Sequence, residues 1–144
     1  MLIQFREVIE LRVEDICAYF RSPTDWGRLY GFAGRVRDLG SGWYSVPLYR
    51  FPFPLVARIT RLEPDRVVHW EFRGFWKGEG EVRFEREGSG TVVTGYERIA
   101  ARWLGPLSVV AEKLFMERAF RGIWARGWRR LRAARSDSAP TDTD

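Results

Sequence analysis

The chain of 144 residues suffices for one domain, and domains of this size bury about 70% of their unfolded surface without staples. A single cysteine, Cys17, excludes an intramolecular disulfide and a cysteine-rich zinc site, and a single histidine, His69, excludes a multi-histidine metal centre. The net charge of +5 is concentrated between Arg118 and Arg135, where seven arginines meet no acid; the rest is slightly acidic, which points away from nucleic acid as the chief partner.

At the N-terminus Ile3, Phe5, Glu7, Ile9 and Leu11 alternate with Gln4, Arg6, Val8, Glu10 and Arg12, the period-two pattern of a half-buried strand. The period then changes. Val13, Ile16, Cys17 and Phe20 recur at helical spacing until Ser22-Pro23 ends the run, and a second short helix or turn is expected from Thr24 to Leu29. From Gly34 to Ala101, turn signals at Gly40-Ser41-Gly42, Pro52 to Pro54, Pro64-Asp65 and Gly88-Ser89-Gly90 separate runs of strand length. They predict an antiparallel meander of about five or six strands. In one of these runs Val68, Trp70 and Phe72 oppose Val67, His69, Glu71 and Arg73. In the next, Gly78, Gly80, Val82 and Phe84 oppose Glu79, Glu81, Arg83 and Glu85.

After Gly105-Pro106 a long helix is predicted from Leu107 to Ala134. Val109, Met116, Phe120, Ile123, Gly127 and Leu131 form its buried stripe, widened by Leu114, Trp124 and Trp128. Its arginines suit the negative end of the helix dipole, and their stems can cover apolar surface while their heads stay wet. A patch for nucleic acid or for weak anionic-membrane contact is the alternative reading of the same residues. The final SDSAPTDTD reads as a disordered acidic tail over 136–144, which leaves residues 1–135 as the domain.

This order of elements implies a curved sheet wrapped around one amphipathic helix, with a space between them. Four stretches bear a family resemblance: FREVIELRVEDICAYFRSPTDW, ITRLEPDRVVHWEF, GSGTVVTGYE and GPLSVVAEKLF. On these the chain resembles, over residues 3–135, the START-like or SRPBCC superfamily of polyketide cyclases and lipid-transport proteins, and within it bacterial ligand-binding members. The resemblance implies an α+β helix-grip fold: a curved antiparallel sheet around a long C-terminal helix, with two short helices after the first strand. None of the four stretches is catalytic, and this superfamily hosts carriers, receptors and enzymes alike. The chain departs from the pattern of its relatives in carrying Gly78, Gly80 and Val82 where they often have Trp and His, and Leu11-Arg12 where many have Ala-Pro.

Aromatic residues, seven Trp, ten Phe and five Tyr, exceed what a core this small needs, so a ring-lined pocket stands beside the plainer reading of a bulky core. The expected wall is Trp70, Phe72, Gly80, Val82 and Phe84 on the sheet with Phe120 and Trp124 opposite, and Trp43 and the FPFP segment near one end. Gly78 and Gly80 admit two explanations, volume left for a ligand or sheet curvature. Glu7 and Glu97 are the weak candidates for acid–base chemistry, since two carboxylates in an apolar cavity raise one another's pKa. Neutralisation by Arg118 or Arg121, or Tyr96 and Arg98 facing inward instead, is the favoured plain reading. His69 is expected on the solvent side, and Cys17 in the core.

No phosphate loop, Ser-His-Asp set or iron-ligating set occurs, and no cofactor or metal is expected. The segment MLIQFREVIE lacks the features of a secretion signal, and no run of about eighteen apolar residues is present to span a membrane, so the cytoplasm is the expected location. The first function expected is non-enzymatic binding or transport of a hydrophobic or amphipathic small molecule. The second is a cyclase or dehydratase that uses the same cavity, and the third is a basic module docking on nucleic acid or anionic lipid.

Overall fold

The computed structural model describes residues 1–30, 36–48, 53–101 and 108–137, with the backbone alone for residue 30 and for the stretches 108–114 and 135–137. Strand β1 (Leu2–Ile9) is followed by two short helices, α1 (Val13–Cys17) and α2 (Pro23–Tyr30). Six strands come next: β2 (Arg37–Gly40), β3 (Trp43–Val46), β4 (Leu55–Glu63), β5 (Val67–Arg73), β6 (Trp76–Glu87) and β7 (Gly90–Ala101). Helix α3 (Ser108–Asp137) follows the sheet. The seven strands form one antiparallel sheet in the order β1-β7-β6-β5-β4-β3-β2, so the first strand crosses over to pair with the last and the others form a meander. This is the α+β helix-grip architecture.

The alternation in the sequence becomes the two faces of this sheet. Ile3 and Ile9 of β1, Val68, Trp70 and Phe72 of β5, Val82 and Phe84 of β6, and Val93 and Ile99 of β7 are buried on the inner face. Helix α3 covers that face with Met116, Phe120, Trp124, Trp128 and Leu131, as the helical spacing predicts, and Phe115 lies 70% exposed off the stripe. A fully buried side chain of this size contributes roughly 1.5–3 kcal/mol by leaving water, so a core rich in rings compensates for a small domain.

Besides a register shift between Asp38 and Gly40 where β2 pairs with β3, two irregularities shape the part of the sheet that carries the site. The pairing of β4 with β5 shifts register between Ile59 and Arg61, a bulge that tightens the local twist. Gly78 has φ of +150°, and a Cβ there would lie 1.8 Å from the carbonyl oxygen of Arg98. The backbones of β6 and β7 therefore approach where only glycine fits, and curvature is the explanation that holds at Gly78.

The helix runs three residues beyond the expected Ala134, so Ser136 and Asp137 belong to α3 and not to the acidic tail. The remainder of that tail, 138–144, lies outside the described residues, as do Gly34, Phe51, Pro52, Gly105, Pro106 and Leu107 and the side chains of Val109 and Leu114. Among the described residues no helix is long and apolar enough to cross a membrane.

Candidate functional site

Register assembles the site. Cross-strand pairing lines up Ile59, Trp70, Gly80, Glu97 and Ile3 as one row on the inner face, running from β4 across β5, β6 and β7 to β1. The row holds one residue without a side chain and one carboxyl group, and both matter. A Cβ on Gly80 would stand 2.5 Å from three atoms of the Trp70 indole, Cε2, Cζ2 and Nε1, so the ring of Trp70 fills the space that the glycine leaves. This corrects the cavity explanation for Gly80. The missing side chain makes room for a neighbouring tryptophan, because the indole turns across the sheet toward Glu97.

Glu97 faces inward as its parity predicts and is 5% exposed. It accepts a hydrogen bond from the Trp124 indole, and burial pushes its carboxyl up to about 8, opposed only by that hydrogen bond. Below that value the group is a neutral acid, with one oxygen accepting from Trp124 and an O–H free to donate. Neither Arg118 nor Arg121 is among the groups that act on it, and Arg121 pairs with Glu117.

Aromatic rings close around this acid. Trp70 meets Trp26 edge-on at 5.2 Å between centroids and stacks on Trp124 at 6.3 Å. The pocket lies between the sheet, the short helices and α3, and is bounded by Phe20, Trp26, Val46, Pro47, Leu48, Leu55, Trp70, Glu97, Phe120, Ile123 and Trp124. Its volume is about 450 Å³ counting its open mouth, but the space available to the centre of a water is about 20 Å³. That is room for about one water, since one needs at least roughly 10–15 Å³ on this measure. Two of the lining residues carry a donor without a partner: the indole nitrogens of Trp26 and Trp70 are buried and unpaired among the described residues, the latter lying over Gly80. A buried N–H left unpaired costs about 1–3 kcal/mol, so a partner for either donor is worth that much.

Of the expected wall, Trp70, Phe120 and Trp124 border this pocket, and Gly80 lies under Trp70. Phe72, Val82 and Phe84 are buried on the same face but outside the pocket; Phe84 instead packs on Phe20 at 5.6 Å. Trp43 is a correction. Pairing of Tyr44 with Ala57 and of Val46 with Leu55 turns those residues inward, so Trp43 falls on the outer face. There its ring lies between the guanidinium groups of Arg58 and Arg73, at 4.7 and 4.1 Å, away from the cavity.

Glu7 does not join Glu97. It sits opposite Val93 while Ile3 sits opposite Glu97, a separation of four residues along β1 or about 13 Å. Glu7 is instead paired with Arg132 of α3, so there is no carboxylate dyad. His69 lies on the outer face as expected. Its Nε2 is 3.1 Å from Glu79 Oε2 and its Nδ1 is 2.6 Å from Thr60 Oγ1, so both ring nitrogens have polar partners on the outer face.

The sequence reading missed Trp26, Phe20 and the Val46-Pro47-Leu48 segment. Phe20 carried a signal, as the last member of the first helical stripe. Trp26 follows the polar run Ser22 to Asp25, and with Leu29 it supplies a single helical repeat, enough to suggest a buried side but not a pocket wall.

The model of the family described as polyketide cyclase/dehydrase and lipid transport matches residues 3–135, and the chain belongs to that family. No curated protein matches the chain. Among solved structures, a conserved protein from Geobacillus kaustophilus superposes with a TM-score of 0.69 at 10% identity, covering 91% of this chain and 95% of the other. The protein XoxI from Bacillus cereus gives 0.67 at 11% identity, with 92% and 94% covered. The Aha1 dimer from Colwellia psychrerythraea gives 0.63 at 18% identity, with 93% and 95% covered. At these identities the likeness is one of fold.

Proposed function

We propose that this member of the polyketide cyclase/dehydrase and lipid-transport family binds a small, largely apolar molecule bearing a hydrogen-bonding oxygen, in the pocket between the sheet and α3. The observation that carries the reading is Glu97: a neutral acid buried among rings, with the unpartnered indole N–H groups of Trp26 and Trp70 on the same pocket. A carbonyl or hydroxyl oxygen would accept from donors that are unpaired among the described residues, while the rings supply apolar area. Because the enclosed space is small, binding requires the rings of Trp26, Trp70 and Trp124 to part.

A second reading shares the pocket. A carboxyl with its pKa near 8 is suited to protonate a carbonyl oxygen or to take a proton beside one near neutral pH, the work of a cyclase or dehydratase. The cytoplasm is the proposed setting for either.

Native mass spectrometry of freshly purified protein tests the binding reading. A retained neutral or weakly polar molecule, released on denaturation and lost in a Trp70→Ala/Trp124→Ala variant, is the expected result. Protein that never carries such a molecule, from any growth condition or lipid extract offered, contradicts it.

A further inference from the structure

A second concavity lies outside the pocket, between the edge strand β1 and helix α3. It offers about 480 Å³ to the centre of a water, against about 20 Å³ in the inner pocket. Because β1 has a neighbour on one side only, residues of both its faces reach this groove, Phe5 from the inner face and Arg6 from the outer. Phe5, Trp124 and Trp128 make an aromatic floor, with centroids 4.4, 5.3 and 5.4 Å apart.

Charge distinguishes this groove from an ordinary crevice. Arg6, Arg121, Arg129 and Arg132 line it against a single acid, Glu7. Arg132 is spent on Glu7 and Arg121 on Glu117, whereas Arg6 and Arg129 make no ion pair among the described residues. Arg6 and Arg129 thus bring two guanidinium groups to a groove floored by rings, with no ion-pair partner among the described residues.

We propose that this groove binds a small anion with an aromatic or otherwise apolar body, its charge a carboxylate, sulfonate or phosphate ester met by Arg6 and Arg129 and its body laid on the rings. The size fits, for small-molecule sites span roughly 300–1,000 Å³. The concavity favours a small molecule over a duplex or a bilayer, either of which needs a basic surface that it can lie against. The groove is a separate concavity that shares one wall, Trp124, with the inner pocket.

Anilinonaphthalene sulfonate carries the anion that phenylnaphthylamine, the reporter of the inner pocket, lacks, so the effect of arginine substitutions on each, read by fluorescence titration of the full chain at low salt, isolates the groove. Arg6→Glu/Arg129→Glu should lower the sulfonate affinity at least about tenfold and leave the affinity for phenylnaphthylamine unchanged. Arg129→Gln alone, a milder change that decides the matter if the double variant does not fold, should reduce sulfonate affinity about threefold or more. A sulfonate affinity that survives these substitutions overturns the proposal. So does binding to phosphatidylserine vesicles or duplex DNA that depends on the same arginines and that the sulfonate does not displace.

Discussion

The indole of Trp70 lies across Gly80, with three ring atoms 2.5 Å from where a Cβ would stand. The ring is 2% exposed and held by Trp26 and Trp124, so it cannot swing aside without disturbing both. Gly80→Ala should therefore destabilise the protein by about 1–3 kcal/mol through overpacking. Trp70→Phe in the same chain should recover roughly 1 kcal/mol of that loss, because the smaller ring yields space. Denaturant unfolding of the four members of the cycle checks this, and strict additivity would show that the two residues do not meet.

Glu97 links stability to pH. Its carboxyl titrates near its ordinary 4.5 in the unfolded chain and near 8 in the folded protein, so the folded state holds the extra proton between those values. The contribution of this group is most favourable below pH 4.5, declines as pH rises through the interval, and is fully lost above about 8. Glu97→Gln keeps an acceptor for Trp124 without the charge. Its unfolding free energy should stay level where the native protein declines, and should exceed that of the native protein at pH 9. Parallel pH profiles for the two proteins would show that Glu97 is not buried as an acid.

Trp43 provides the control for a ring outside the pocket. It is 8% exposed between Arg58 and Arg73 on the outer face. Trp43→Ala should cost about 3 kcal/mol of stability, as loss of a buried tryptophan does, and leave the affinity for phenylnaphthylamine unchanged. A loss of probe affinity in folded Trp43→Ala protein would return this residue to the cavity wall.

The fold was legible because its signals are periodic. Alternation in β1, β5 and β6 and the stripe from Met116 to Leu131 each name a buried face without reference to the rest of the chain. The inward turn of Glu97 was legible for the same reason. The site itself was less so, because it depends on register. Whether Glu7 meets Glu97 turns on which residue of β1 stands opposite Glu97, and that residue is Ile3. Whether Gly80 leaves a hole turns on the rotamer of a residue ten positions earlier, which no pattern in β6 records. Trp43 was misplaced because β3 is four residues long, too short for alternation to reveal its faces.

The central claim is that an apolar ligand sits against the Glu97 acid, and the pH dependence of phenylnaphthylamine affinity tests it most directly. An apolar molecule over the carboxyl deepens its burial, so it binds the neutral form and loses affinity once the proton leaves. The account predicts a steady affinity at pH 6 to 7, a decline as pH rises through about 8, and a Glu97→Gln protein whose affinity does not change over that range. The same decline in both proteins, or a native affinity that stays level to pH 10, would contradict it.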